Sequence, residues 1–270
     1  MSICRLGFGC ARVYDGSELT AAARLIETAL ETGIRHFDTA PAYGNGHSEA
    51  ALGMVLAGVC DVTITTKIGI ARSDSISAPH AASVAYRRFI RPLLSHFPRV
   101  KSHLLRLTEW RVPRVPPTAP VIQRRRLVPD EVLRNLDESL KRLKRDTVNL
   151  YLIHEPDQIE LTDELRELFA NLQKDGVIGA YGLAFGRAVE TAPDFGAIVQ
   201  SRYHPYFPKH HVAGKLKIFH GVLRYSGQGA VRPLDANRPD VRLNNVLNEH
   251  PDSAIIFSAS APHQIKSVNK

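Results

Sequence analysis

Seven residues at 148–154, VNLYLIH, are apolar almost without a break, and a helical pattern stands on either side of them. Before them Leu133, Leu136, Leu140 and Leu143 recur three or four apart from a start at Pro129; after them Leu161, Leu165, Leu168 and Leu172 do the same. A strand with apolar side chains on both faces needs cover on both faces. A run this short finds that cover in a parallel sheet sheathed by helices, not in a bilayer. Each flanking helix has one apolar stripe to lay on something, so strand and helices answer each other's requirement.

The same alternation can be followed along the chain. Ile3 to Gly9 is expected to be a brief strand, followed by a helix capped by Ser17 with Leu19, Ala22, Leu25, Ile26, Ala29 and Leu30 on one face and Gly33 at its end. A strand from His36 to Thr39 stops before Pro41, and a second helix covers about Ser48 to Leu56. DVTITTKIG is β-branched and reads as a strand ending at Lys67. Beyond the helix that closes at Asp175-Gly176, strands are expected near 178–184, 197–203 and 216–222 and from Ala254 to Phe257. Helices are expected near Asp240 to Glu249 and after Pro262. With strand and helix alternating throughout and eight candidate strands, the economical architecture is a single-domain (β/α)8 TIM barrel spanning residues 1–270. A doubly wound sheet is the competitor, but no G-x-G-x-x-G stands between a strand and a helix.

Residues 72–128 break the rhythm. They carry seven of the seventeen prolines and the only tryptophan, Trp110. Between Arg72 and Arg126 twelve Lys or Arg face Asp74 and Glu109, about +10 in a chain whose formal net charge is +8, so the basicity is local. A connection this long is functional or mobile. Short kinked helices within Ser83 to Leu107 and an extended tail are expected.

Polar side chains close the strands. HFD ends at Asp38 with Tyr43 five residues on, the next strand reaches Lys67, and VNLYLIH ends at His154. The C-terminal ends of parallel barrel strands converge on one mouth, where catalytic groups gather. LGFGCARV, HFDTAPAYGNGHSEAALG, TTKIG and LYLIHEPD resemble the aldo-keto reductase family, NAD(P)H-dependent (β/α)8 oxidoreductases. The resemblance covers about residues 3–71, 127–203 and 244–265. It implies that Asp38, Tyr43, Lys67 and His154 form a catalytic tetrad. Tyr43 would protonate the developing alkoxide, and its ordinary pKa near ~10 makes it a weak acid unless tuned. A close Lys67 ammonium is expected to lower that pKa, with Asp38 keeping Lys67 charged and oriented. His154 would donate to the carbonyl oxygen or relay its proton.

The resemblance extends to the cofactor. VQSRYHP is similar to the strand whose glutamine holds the nicotinamide carboxamide, which assigns Gln200 to it. IIFSASAPHQI is similar to the adenosine-phosphate segment, which assigns Ser258, Ser260 and Gln264 to the phosphate. NADP is the cofactor implied, with NAD as the alternative, because no Lys or Arg stands where a 2′-phosphate is usually clamped. The chain also departs from the family pattern. Ala184 and Phe185 occupy positions where relatives often have Ser and Asn for the same amide, and IFHGVLR offers only Phe219 or His220 where a Tyr often stacks on nicotinamide. The hairpin that commonly plugs the barrel ahead of the first strand, and the loop that often walls the substrate pocket after the last helix, are expected to be absent. The basic excursion is expected to replace that wall.

The substrate implied is a small-molecule aldehyde, ketone or sugar. The arginines at Arg87, Arg88, Arg91 and Arg124 to Arg126 would favour an anionic carbonyl compound through bidentate contacts. Two alternatives stay open: a barrel that binds nucleotide as a sensor with little turnover, and a basic-surface interaction protein. The basic segment lacks the interleaved aromatics of a single-strand binder, so nucleic acid is not expected. Cys4, Cys10 and Cys60 have neither paired nor metal-ligand spacing. The N-terminus reaches glycine too soon for a signal peptide, and no apolar run approaches a membrane span. Cytoplasm is therefore the expected compartment. Composition and spacing do not bear on the oligomeric state.

Overall fold

The computed structural model describes residues 4–14, 18–71, 124–205, 215–224 and 238–268. Most of the basic excursion, with Arg87, Arg88, Arg91 and Trp110, lies outside these residues, as does Ser17. Eight parallel strands form a closed barrel in sequence order: β1 (Leu6–Gly9), β2 (His36–Asp38), β3 (Thr63–Ile68), β4 (Val148–His154), β5 (Ile178–Ala184), β6 (Ile198–Arg202), β7 (Leu216–His220) and β8 (Ser253–Phe257). The ring closes where Leu6, Gly7 and Phe8 pair with Ile255, Ile256 and Phe257. Outside it run α1 (Leu19–Glu31), α2 (His47–Val55), α3 (Pro129–Leu143), α4 (Asp163–Lys174), α5 (Pro239–Glu249) and the short α6 (Pro262–Lys266).

The helices start and stop on local chemistry. In α3 the proline sits in the first turn with Asp130 and Glu131, and Lys141 and Arg142 occupy the last turn, each sign matching its end of the helix dipole. Thr162 caps α4, its hydroxyl oxygen accepting from the Leu165 N–H at 3.3 Å. Among the described residues one connection between strands holds no helix. Residues 185–197, between β5 and β6, contain no helix: the sequence there is short, carries Pro193, and turns at Gly196 with φ 65°. Phe195 fills the place of a helix, its ring 5.3 Å from Phe169 and 5.4 Å from Tyr181.

Side chains alternate between the barrel interior and the helix layer. Leu150, Leu152, Ala180, Ile198, Ile218 and Ala254 form the inner apolar cluster, while Phe37, Tyr151, Ile153, Leu183 and Phe219 belong to the larger outer one. Strands β2, β3 and β6 depart from this by turning His36, Asp38, Thr65, Lys67 and Gln200 inward, all of them buried. The chain leaves and re-enters the barrel side by side at the C-terminal end of β3. There Ile70 pairs with Arg124 in an antiparallel bridge, and the Arg125 N–H donates to the Gly69 carbonyl at 2.9 Å. Among the described residues no helix is long and apolar enough to cross a membrane.

Candidate active site

A cavity of about 510 Å³ opens at the C-terminal ends of the strands, a size that suits a small ligand. Asp38, Tyr43, Lys67, His154, Gln200, His220 and Ser258 all line it. β2 and β3 are neighbours in register, Asp38 beside Thr65, so the two inward side chains Asp38 and Lys67 meet just above that pair. Lys67 Nζ lies 2.8 Å from each Asp38 carboxylate oxygen and 2.8 Å from the Thr39 carbonyl. An ammonium that is 2% exposed requires this much compensation. Burial works against the charged Lys67, but the Asp38 carboxylate and Tyr43 outweigh it and raise the pKa.

Tyr43 is carried by the 3₁₀ turn at 43–46, whose Gly44 and Asn45 take positive φ. The Lys67 charge lies 4.9 Å from its ring centre, and the His154 ring meets it edge-on at 5.9 Å. The expected depression of its pKa does not result. Burial pushes the phenol up, Lys67 pulls it down, and Asp38 adds to the rise, leaving it above the ordinary value. His154 is held down to about 3 by burial, with Lys67 and His220 opposing a further positive charge. It is a neutral imidazole at pH 7.

This arrangement can place a protonated phenol and a neutral imidazole against one oxygen atom, with a fixed cation behind the phenol. The Aldo/keto reductase family model matches residues 5–216 of the chain. The chain belongs to this family. By sequence, this aldo/keto reductase is 28% identical over 218 residues to D-threo-aldose 1-dehydrogenase of a Pseudomonas species, a match covering 75% of this chain and 58% of that protein. It is 25% identical over 198 residues to the aldo-keto reductase YhdN of Bacillus subtilis (strain 168), covering 72% and 46% respectively. The chain thus spans about half the length of these two relatives. Among solved structures it resembles the holo form of aldo-keto reductase AKR11C1 from Bacillus halodurans, with TM-score 0.66, 19% identity, and coverage of 100% of this chain and 86% of that one. The glycerol dehydrogenase AKR11B4 from Gluconobacter oxydans gives a TM-score of 0.65 at 18% identity, covering 100% and 86%. At these identities the solved structures speak for the fold.

In this aldo/keto reductase the residues expected at the cofactor fall into two groups. Gln200 and Ser258 face the cavity, whereas Ser260 and Gln264 lie beyond it and bind each other, the Ser260 N–H donating to Gln264 Oε1 at 2.8 Å. Gln200 reaches across the barrel and donates from Nε2 to Asp38 Oδ2 at 2.9 Å, which leaves its Oε1 buried without a partner. A carboxamide N–H₂ is the donor such an oxygen lacks. Of the two ring candidates on β7, His220 turns to the cavity and bonds the Phe185 carbonyl at 2.9 Å. Phe219 packs on the outer side against Tyr203 and His250. Ala184 adds an apolar side chain to the inner cluster and no hydrogen bond.

Three features of the site escape sequence reasoning. The Thr39 carbonyl completes the Lys67 cage, and Arg12 and Arg202 stand exposed on the cavity rim. Arg202 was recoverable from the two-residue period of β6 counted on from Gln200. Arg12 lies in a 3₁₀ turn, where no period exists to read.

Proposed function

We propose that this aldo/keto reductase is an NADPH-dependent oxidoreductase that reduces the carbonyl group of an aldehyde, ketone or sugar to the alcohol. The observation that carries this reading is the buried Asp38–Lys67 pair set behind Tyr43 at the cavity mouth. Tyr43 serves as proton donor: its raised pKa keeps the phenol protonated through neutral pH, ready to hand a proton to an oxygen that becomes basic only as charge develops on it. Lys67 favours the phenolate left behind, and Asp38 fixes Lys67 in place. Neutral His154 donates a hydrogen bond to the carbonyl oxygen and orients it.

The residues suit a nicotinamide cofactor, since the orphaned Gln200 Oε1 is matched to its carboxamide. Bound there, the nicotinamide supplies the hydride. In this reading Gln200 holds the carboxamide while Ser258, Ser260 and Gln264 hold the adenosine phosphate, and NAD is the competing nucleotide. The name of the Pseudomonas relative points to sugars as the substrate class to try first. The three cysteines are free, and we place the protein in the cytoplasm.

One specific observation favours a second reading, a nucleotide-binding sensor with little turnover: Ala184 and Phe185 offer no side-chain hydrogen bond to the carboxamide. Oxidation of NADPH and NADH followed at 340 nm across a panel of aldehydes, ketones and aldoses separates the two. The reductase reading expects turnover that falls by about 10²–10⁴-fold in kcat in Tyr43→Phe. Tight nucleotide binding with no turnover of any carbonyl compound would overturn it in favour of the sensor.

A further inference from the structure

Two guanidinium groups, those of Arg12 and Arg202, line the rim of the active-site cavity in exposed positions. Neither meets a carboxylate among the described residues. Arg124 and Arg125 are committed by contrast: Arg124 pairs with Glu160 at 2.6 Å, and Arg125 lies 3.5 Å from Glu131 and 3.8 Å from Glu138. The described arginines that the sequence suggested for an anion are thus largely occupied, while two others are not.

Inside the cavity Asp38 and Lys67 cancel each other, and His154 and His220 both have lowered pKa values and remain neutral at pH 7. Among the described residues that line the cavity, the net charge is therefore that of the two rim arginines. Arg12 ends the 3₁₀ turn at 10–12, which packs against the turn carrying Tyr43, so it stands on the side of the proton donor. Arg202 ends β6, two residues beyond Gln200 on the same inward-facing row.

We propose that Arg12 and Arg202 select carbonyl substrates that also bear a carboxylate or phosphate, holding the anion at the rim while the carbonyl reaches Tyr43. This rests on the carbonyl-reductase reading and narrows it. Guanidinium groups take such oxyanions through paired N–H donors, and the exposure of both groups keeps the effect moderate and sensitive to salt. The diphosphate of a dinucleotide presents the same chemistry, and the test must tell the two sources apart.

The test compares kcat/KM for 4-oxobutanoate against butanal, and for glyceraldehyde 3-phosphate against glyceraldehyde, at low and high ionic strength. The expected preference for the anion is roughly 10- to 100-fold at low salt, shrinking as salt rises. Arg12→Met and Arg202→Met should each lower that ratio about tenfold, and Arg12→Lys should restore part of it. A ratio near unity, or one that neither variant changes, overturns the proposal. If the variants instead weaken NADPH binding, read by quenching of protein fluorescence, while the ratio stays put, the arginines serve the nucleotide and the proposal fails. Should no carbonyl compound be turned over, it is the reductase reading that falls. The anion site is then judged by titrating the NADP-loaded protein with 4-hydroxybutanoate and 1-butanol, and equal binding sinks it.

Discussion

His154 illustrates how one residue's environment decides its chemistry. An imidazole with an ordinary pKa near ~6.5 would be half charged in the range where most enzymes work. Burial, Lys67 and His220 hold this one down to about 3. Tyr43 is shifted upward, so across neutral pH both groups that could face a substrate oxygen are uncharged hydrogen-bond donors. The pH profile of kcat/KM for carbonyl reduction should consequently show no acid limb near 6.5. Loss from His154 protonation should begin only toward pH 3, after allowing for acid unfolding. An acid limb centred near 6.5 that His154→Gln removes would show the histidine to be charged and this account to be wrong. The gathering of Asp38, Tyr43, Lys67 and His154 at one cavity was legible because each ends a strand or follows one closely, a position the sequence displays. The Gln200 bond to Asp38 was not legible, since it joins residues 162 apart on strands that face each other across the barrel. Nor does a sequence show whether burial or a neighbouring ammonium wins at Tyr43, because that depends on distances.

Among the elements, α2, α3 and β3 meet at a buried polar junction. Glu49 of α2 is fully buried and accepts from Thr66 Oγ1 at 2.6 Å and from Arg142 Nε at 2.7 Å, which ties both helices to the strand. One turn further along α2, Gly53 passes so close to α3 that an added Cβ would collide with the backbone carbonyl of Arg142. Intrinsic propensity alone would make Gly53→Ala stabilising by up to about 1 kcal/mol, as an alanine in an open helix is. The obstacle here is backbone, which cannot swing aside, so overpacking of about 1–3 kcal/mol should prevail. The urea midpoint of Gly53→Ala is expected to fall with the m-value unchanged; a midpoint that rises would show that α2 and α3 can separate freely. At this scale the sequence was informative where periodicity ran long. VNLYLIH and residues 178–184 coincide with β4 and β5, and α3 spans the stretch from Pro129 to Leu143. At residues 185–197 the sequence displays no helical pattern, and an aromatic plug around Phe195 covers the sheet there. A single buried phenylalanine leaves no repeating pattern to detect.

The barrel as a whole carries a polar column through an apolar interior, and its lowest member is the best probe of the fold's stability. His36 is fully buried, its Nε2 2.9 Å from the Thr65 hydroxyl. Gly7 on β1 leaves room for the ring: a Cβ there would lie 2.9 Å from Nδ1. Its pKa is lowered to about 4, by burial first and by the Lys67 ammonium, against the opposing pull of Asp38. In the unfolded chain the same imidazole titrates near ~6.5, so between these values the unfolded state binds a proton that the native state refuses. Stability from His36 is therefore complete above about pH 6.5 and declines as acid is added, until the folded group also titrates near 4. By pH 5 the loss should be about 2 kcal/mol. Because a chain with a formal net charge of +8 also gathers general repulsion in acid, the wild-type slope alone does not isolate this group. His36→Gln keeps a hydrogen-bonding partner for Thr65 without the titration. Its urea-derived stability should fall less between pH 7.5 and 5 than that of the wild type, by that same amount, even if it starts lower. Parallel pH dependence in the two proteins would mean that His36 is not the group whose neutral form the barrel requires.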